Sequence, residues 1–424
     1  MDRLASPPSW PSTLSALNRR KMLAMTAVGA AALIAGPRAT WAQERTGTSA
    51  RIVIVGAGAG GLAVANRLAA ALDGAKITLI DARKAHYFQP GLPLVGAGRQ
   101  PVEYILSATT NHVPANVELI EANVSAFDPD SKSLETDSGQ TVSYDYLIVA
   151  TGLAQDTGAI EGFETGLIGR EGIGSVYLGP EAAVATWGLM SDFAGKGGRA
   201  VFARPATDIK CPAAPLRYTF FTEDHLRQQG TRDKAEIIYN SGTGSLIGMP
   251  ALAERLSAFF DQRGIAVNYN RVLASIDPGR RIATFRTPDG TEEQEYDFLH
   301  IVPPMRAPDV VKNSALAWQE GDLAAGGWLE VNAGTFRHER YPEVFGIGDI
   351  AGVPMAKTAG SVMAQVPVMV EQLRAQIADR EATLVFTRPE SSPMTATGEQ
   401  IANHWEEDIT GFKAPYMKLI GGES

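Results

Sequence analysis

Arg51-Ile-Val-Ile-Val-Gly-Ala-Gly-Ala-Gly-Gly-Leu-Ala-Val-Ala65 joins an apolar run, a glycine turn and the opening of a helical pattern. Its reading decides the fold. Gly56 permits a tight turn after a buried strand, Gly58 lets the backbone approach a pyrophosphate, and Gly61 with Ala65 lets the helix pack close to the strand. Phosphates would then face the helix N-terminus, where backbone amides lack intrahelical partners. Ile77-Thr-Leu-Ile-Asp81 follows as a second apolar strand ending in an acid placed to hold a ribose hydroxyl pair. Strand, turn, helix and acid together predict dinucleotide binding, where the glycines alone would be a weak signal.

A chain of 424 residues is long enough for two domains, and its 45% apolar and 20% charged content is that of an ordinary globular protein. A net charge of −9 with no basic stripe excludes nucleic acid as an expected partner. The histidines, at 86, 112, 225, 300, 338 and 404, show no metal-ligand spacing, so no metal is expected.

The first residues are a different object. Arg19-Arg20-Lys21 precede the apolar stretch Met22 to Ala35, and Thr40-Trp-Ala42 offers small residues for cleavage. The stretch is short for a membrane span, and the adjacent arginines suggest twin-arginine export of residues 43–424 to the periplasm. Removing residues 1–42 takes away five basic residues and one acid, which carries the net charge from −9 to −13. The only cysteine is Cys211, so no intramolecular disulfide can form.

Farther along, Ala85-His-Tyr-Phe-Gln-Pro-Gly-Leu-Pro93 is a loop at the carboxyl end of a strand, where open α/β sheets place ligands. Tyr144-Asp-Tyr-Leu-Ile-Val-Ala-Thr-Gly152 is a strand finishing in Ala150-Thr151-Gly152. Near residue 199 a second dinucleotide-type unit begins with Arg199-Ala-Val-Phe-Ala203. The loop after it, Arg204 to Arg217, has three prolines and no glycine, which does not cradle a pyrophosphate and argues against NAD in this half. That loop puts Cys211 ahead of a helix expected from about Leu216, with Lys210 adjacent, two influences that favour a thiolate. From about Leu316 the chain is expected to return to the first unit, reaching Tyr341-Pro-Glu-Val-Phe-Gly-Ile-Gly348-Asp349 and then Lys357-Thr-Ala-Gly360 before a helix.

Asp349 after such a strand resembles the acid that holds the ribityl chain of FAD in two-dinucleotide-domain flavoproteins. The loops His86-Tyr-Phe-Gln-Pro-Gly91, Asp208-Ile-Lys-Cys-Pro-Ala-Ala-Pro215, Leu299-His-Ile-Val-Pro-Pro-Met305, Thr335-Phe-Arg-His338 and Ala356-Lys-Thr-Ala359 resemble those of sulfide:quinone oxidoreductases. The flavocytochrome c sulfide dehydrogenases are related. This resemblance implies an α/β fold of two Rossmann-like domains and an FAD held by Gly56, Gly58, Gly61, Asp81, Ala150, Thr151, Gly152, Gly348 and Asp349. It implies electron transfer from sulfide, or a small sulfur compound, to a quinone or a cytochrome c.

Family members use two redox cysteines beside the flavin. Cys211 matches one of them, the region after Ala378 offers no second, and Gly174 stands where many relatives have a third. The expectation is therefore a one-thiol chemistry in which Cys211 attacks or carries sulfur, with Lys357 and its helix stabilising charge on the reduced flavin. Cysteinyl attachment would consume the sole thiol, so the FAD is expected to be noncovalent. His86, near the ligand face, is either a proton-transfer group or a packing residue. A flavin-binding protein without sulfide turnover is the competing class.

The expected organisation is an export signal at 1–42, an FAD-binding domain at 50–160 and 311–387, a second Rossmann-like domain at 161–310, and an amphipathic tail at 388–424. In the tail, Ile401, Trp405, Ile409 and Phe412 recur at helical spacing beside Glu406, Glu407 and Asp408. That pattern suits peripheral membrane contact, docking on the protein itself, or docking on a cytochrome.

Overall fold

Ile52, Val53, Ile54 and Val55 are all buried, as a central parallel strand covered on both faces requires. The structure, a computed structural model, describes residues 45–387 and 405–421. The expected export signal and residues 388–404 of the tail lie outside the described residues.

In chain order the main elements begin with β1 (Arg51–Val55), α1 (Ala59–Ala71), β2 (Lys76–Ile80), β3 (Val117–Ile120) and β4 (Tyr146–Val149). There follow β5 (Ile173–Gly174), α2 (Pro180–Lys196), β6 (Gly198–Arg204), α3 (Ala214–Gln229), β7 (Ala235–Ser241), α4 (Pro250–Gln262), β8 (Ile265–Asn268) and β9 (Phe298–Ile301). The chain then supplies β10 (Val344–Gly346), α5 (Ala359–Ile377) and α6 (Trp405–Gly421).

Two parallel five-stranded sheets result, β10-β4-β1-β2-β3 and β5-β9-β6-β7-β8. In the first, the order reverses between β1 and β4. The crevice at the carboxyl ends of those two strands is the topological switch point, and it holds both the glycine turn and Ala150-Thr151-Gly152. Each sheet is accompanied by a three-stranded antiparallel meander, built from residues 124–143 and 272–295. β10 pairs with β4, so residues 344–346 complete the first sheet.

The tail helix α6 docks on the protein itself. Ile409, Tyr416, Leu419 and Ile420 are buried, and Phe412 is half-buried against the same core. The last carbonyls of a helix have no intrahelical donor. Here Asn66 Nδ2 donates to Ile420 O at 2.7 Å and Arg67 Nη1 to Leu419 O at 3.0 Å, both from α1.

Candidate functional site

The glycine turn is built as its residues dictate. Gly56 has φ +105°, and a Cβ there would lie 2.4 Å from Ala150 O. At Gly61 a Cβ would fall 1.8 Å from Gly56 O, so α1 reaches the turn only because that position carries no side chain. The first turn of α1 has no side-chain cap and no acidic residue, which leaves its amides for an anion. Thr151 Oγ1 is buried without a hydrogen-bond partner. A cradle closed to side chains, free amides and an orphaned hydroxyl fit the pyrophosphate of a dinucleotide.

Asp81 is already engaged by the turn and by Arg83. Its Oδ2 accepts from Ala57 N at 2.6 Å and Arg83 Nη2 at 2.7 Å, and its Oδ1 from Arg83 N at 2.8 Å and Nε at 3.1 Å. Burial alone would raise its pKa, but the Arg83 and Ala57 contacts outweigh burial and hold the carboxyl below its ordinary value. Asp81 thus orders the turn, and a ribose diol would compete with Arg83 for the same oxygens.

Cys211 lies in the proline loop between β6 and α3, three residues ahead of the helix, which starts at Ala214 rather than near Leu216. Its φ is +48°, a left-handed conformation costing on the order of 1–3 kcal/mol for a residue with a Cβ. The backbone around it is tied in place. Cys211 N donates to Lys357 O at 2.8 Å, and Cys211 O accepts from Ala214 N at 2.8 Å and Tyr177 Oη at 3.1 Å.

The electropositive surroundings expected for this thiol are not what the structure gives. The residue is partly exposed, yet dense packing around it raises its pKa, which Arg217 and Lys210 only partly oppose while Asp349 adds to the rise. The reason is burial first, with Asp349, an acid the sequence did not place nearby, adding to it; Lys210, whose Nζ donates to Gln89 Oε1 at 2.7 Å, only partly offsets the two.

Lys357 is buried, 7% exposed, rather than solvated. Its Nζ donates to Asp349 O at 2.7 Å, reaches Ala351 O at 3.5 Å and sits 3.7 Å from the centre of the Trp328 ring. Burial lowers its pKa to about 8, against the opposing pull of Asp349 and Asp208. Burial likewise raises that of Asp349, opposed by Lys357 and Lys210. Gly348, Asp349, Lys357, Thr358, Ser361 and Gln365 line one recess, where Gly348 N donates to Gln365 Oε1 at 2.8 Å.

The structure brings Cys211, Lys357 and Asp349 together across the seam of the two sheets. Asp81 and Gly56 belong to the glycine turn, and Lys210 of the thiol loop donates from Nζ to Gln89 Oε1 at 2.7 Å. Tyr177 and Arg217 are not singled out by the sequence because nothing in their spacing distinguishes them, whereas Gln89 lies in the loop that begins at His86. His86 is a packing residue: Nδ1 donates to Ala57 O at 3.3 Å and Nε2 accepts from Tyr416 Oη at 2.9 Å. A Cβ at Gly174 would meet Thr186 Cγ2 at 2.7 Å, so no second thiol fits there without movement of Thr186. Among the described residues no cluster of metal-ligating side chains occurs.

Two dinucleotide-type sheets, a phosphate cradle at the switch point of the first and a thiol at their seam define a two-domain flavin-dependent oxidoreductase. Residues 50–177 match the family model of the pyridine nucleotide-disulphide oxidoreductases. The mitochondrial sulfide:quinone oxidoreductase of Mus musculus is 35% identical over 317 residues, 74% of this chain and 68% of that protein. That of Dictyostelium discoideum is 33% identical over 324 residues, 76% of this chain and 70% of that protein. The X-ray structure of the sulfide:quinone oxidoreductase of Aquifex aeolicus shares the fold with a TM-score of 0.71 at 20% identity, covering 87% of this chain and 92% of that one. The chain belongs to the sulfide:quinone oxidoreductase family, and its cofactor is FAD.

Proposed function

We propose that this chain oxidises sulfide and passes the electron pair to a quinone, with Cys211 as the thiol that meets the sulfur and a noncovalent FAD as cofactor. When bound, FAD supplies the two-electron redox chemistry of the reaction. Gly56, Gly58, Gly61 and Thr151 would hold its pyrophosphate, with Asp81 at the ribose, Ala150 and Gly152 beside them, and Gly348 with Asp349 at the ribityl end. The observation that carries the reading is the 2.8 Å hydrogen bond from Cys211 N to Lys357 O, which seats the thiol loop of one half on the Asp349–Lys357 segment of the other.

In this reading the Cys211 thiolate and a hydrosulfide ion form an S–S bond, releasing one proton and two electrons that reduce the quinone with two protons from solvent. Thiolate nucleophilicity is the property the step needs. Because burial raises the thiol's pKa, the step should quicken with rising pH. Lys357 places a cation at the seam, where negative charge would develop.

The test is anaerobic addition of sulfide to the purified flavoprotein, followed by a short-chain quinone or by cytochrome c. Bleaching reversed by quinone supports the reading, and reversal by cytochrome c alone would reassign the acceptor. Absence of bleaching would leave a flavin-binding protein without sulfide turnover. Full activity in Cys211→Ser would remove the thiol from the mechanism. Flavin released by acid precipitation supports noncovalent attachment.

Arg19-Arg20-Lys21 with the short apolar stretch ending before Ala42 supports twin-arginine export to the periplasm, tested by the N-terminal residue of the mature protein. Among the described residues no helix is long and apolar enough to cross a membrane. Because α6 buries Ile409, Tyr416, Leu419 and Ile420 in the protein itself, peripheral contact would fall to the outward side of the tail, tested by co-sedimentation with quinone-bearing liposomes.

A further inference from the structure

Cys211 carries its Cβ through a left-handed backbone conformation, at φ +48°. Such a conformation persists when its surroundings over-determine it. Two of its three ties are backbone to backbone, a local one from Ala214 N in the next helical turn and a long-range one to Lys357 O on the facing segment. The third comes from a side chain of the second half. Tyr177 lies just after β5, is 3% exposed, and donates its hydroxyl to Cys211 O at 3.1 Å.

Tyr177 is itself fixed. Its amide donates to Ser175 Oγ at 3.2 Å and its carbonyl accepts from Gln155 Nε2. A buried phenol has few alternatives for its proton, and Cys211 O is the acceptor this one has found.

We propose that Tyr177 is a positioning residue for the Cys211 thiol: its hydroxyl holds the Cys211 carbonyl, and with it the left-handed backbone that sets where Sγ stands. The inference rests on the reading of Cys211 as the reacting thiol. It gives the phenol no proton-transfer duty, and it asks nothing of the ring beyond packing. The carbonyl keeps its bond from Ala214 N when the hydroxyl is removed, so the loss relaxes the loop without orphaning an acceptor.

The experiment compares Tyr177→Phe, Tyr177→Leu and Cys211→Ser as holoenzymes. Flavin bleaching by sulfide is followed by stopped flow, and alkylation of the thiol by iodoacetamide is followed by mass spectrometry across pH. The groups bearing charge on the thiol are Arg217, Lys210 and Asp349, and none is altered. Tyr177→Phe is expected to slow bleaching at least tenfold, with melting temperature held to within a few degrees. The plateau rate of alkylation should change at least threefold, because the thiol has moved.

If Tyr177→Leu falls no further than Tyr177→Phe, the hydroxyl is responsible. Bleaching of Tyr177→Phe within twofold of the parent overturns the inference, and so does an unchanged alkylation plateau. A fully active Cys211→Ser would instead overturn the underlying reading. A dead Cys211→Ser with a normal Tyr177→Phe would overturn this inference alone.

Discussion

Cys211 and Lys357, far apart in sequence, are joined backbone to backbone by a 2.8 Å hydrogen bond, while the Lys357 ammonium reaches back to Asp349 O at 2.7 Å. One lysine thus links the thiol loop of the second half to the turn that ends the first half's returning strand. The carbonyl half of that link survives any substitution at 357, so the ammonium can be tested separately from the tether.

Lys357→Met keeps the length of the stem and removes the charge. A hydrogen bond to a charged group contributes about 1.5–3 kcal/mol, and the cation against Trp328 adds to it. The variant is expected to lose roughly this much stability, less what is regained by no longer burying a charge. Its flavin potential should become more negative, because a nearby cation favours the reduced anion. Potentiometric titration checks this, and a potential unchanged from the parent would confine Lys357 to a structural role.

The same lysine sets an alkaline pH signature. Its pKa is lowered to about 8 by burial, whereas the unfolded chain holds the proton to about 10.4. Between those values the unfolded state binds more protons, so stability rises with pH across this window on account of Lys357. Urea unfolding at several pH values from 7.5 to 10.5 should show a rise that is smaller in Lys357→Met by this contribution. An identical slope in the two proteins would contradict the assignment.

The glycine turn was legible because a parallel strand, a tight turn and a close helix each demand particular residues at fixed spacing, and Gly56 and Gly61 answer steric limits met nowhere else in the motif. The tail helix was legible from Ile409 and Phe412, but its capping by Asn66 and Arg67 was not, since these residues face it only after the chain has closed. The state of Cys211 was misjudged for a related reason. Sequence shows Lys210 next door but not the packing that closes over the loop and raises the thiol's pKa, nor that Asp349 comes in from the other half. Neighbours in sequence set propensity, whereas a pKa is set by neighbours in space.

The mouth of the second sheet is filled by protein. Gly242 N donates to Arg204 O at 2.8 Å, Arg204 Nη1 donates to Thr243 Oγ1 at 3.2 Å, and a Cβ at Gly242 would lie 2.4 Å from Ala206 N. The loops after β6 and β7 therefore close on each other where a nicotinamide dinucleotide would enter. NADH and NADPH are expected neither to bleach the flavin nor to quench its fluorescence at millimolar concentration. Reduction by either nucleotide would show that these loops open.

His86 joins the glycine turn to the tail helix through Ala57 O and Tyr416 Oη, with the His112 ring 5.2 Å away. Burial lowers its pKa to about 4, aided by His112 and Arg83 and opposed by the Ala57 contact and Asp81. The unfolded imidazole, near 6.5, therefore takes up its proton first as the solution is acidified. Stability contributed by the neutral, buried ring is present above pH 6.5 and is lost as pH falls toward 4, amounting to roughly 3 kcal/mol at the acid end. His86→Gln cannot titrate, so its stability should fall less steeply over this range, even if it starts lower. Because the contact spans the phosphate turn and α6, acidification of the parent should also speed FAD release, and a chain ending at residue 404 should release FAD quickly at neutral pH. Flavin fluorescence after dilution measures both rates. Equal release from the parent and the shortened chain at every pH would show that α6 has no hold on the cofactor turn.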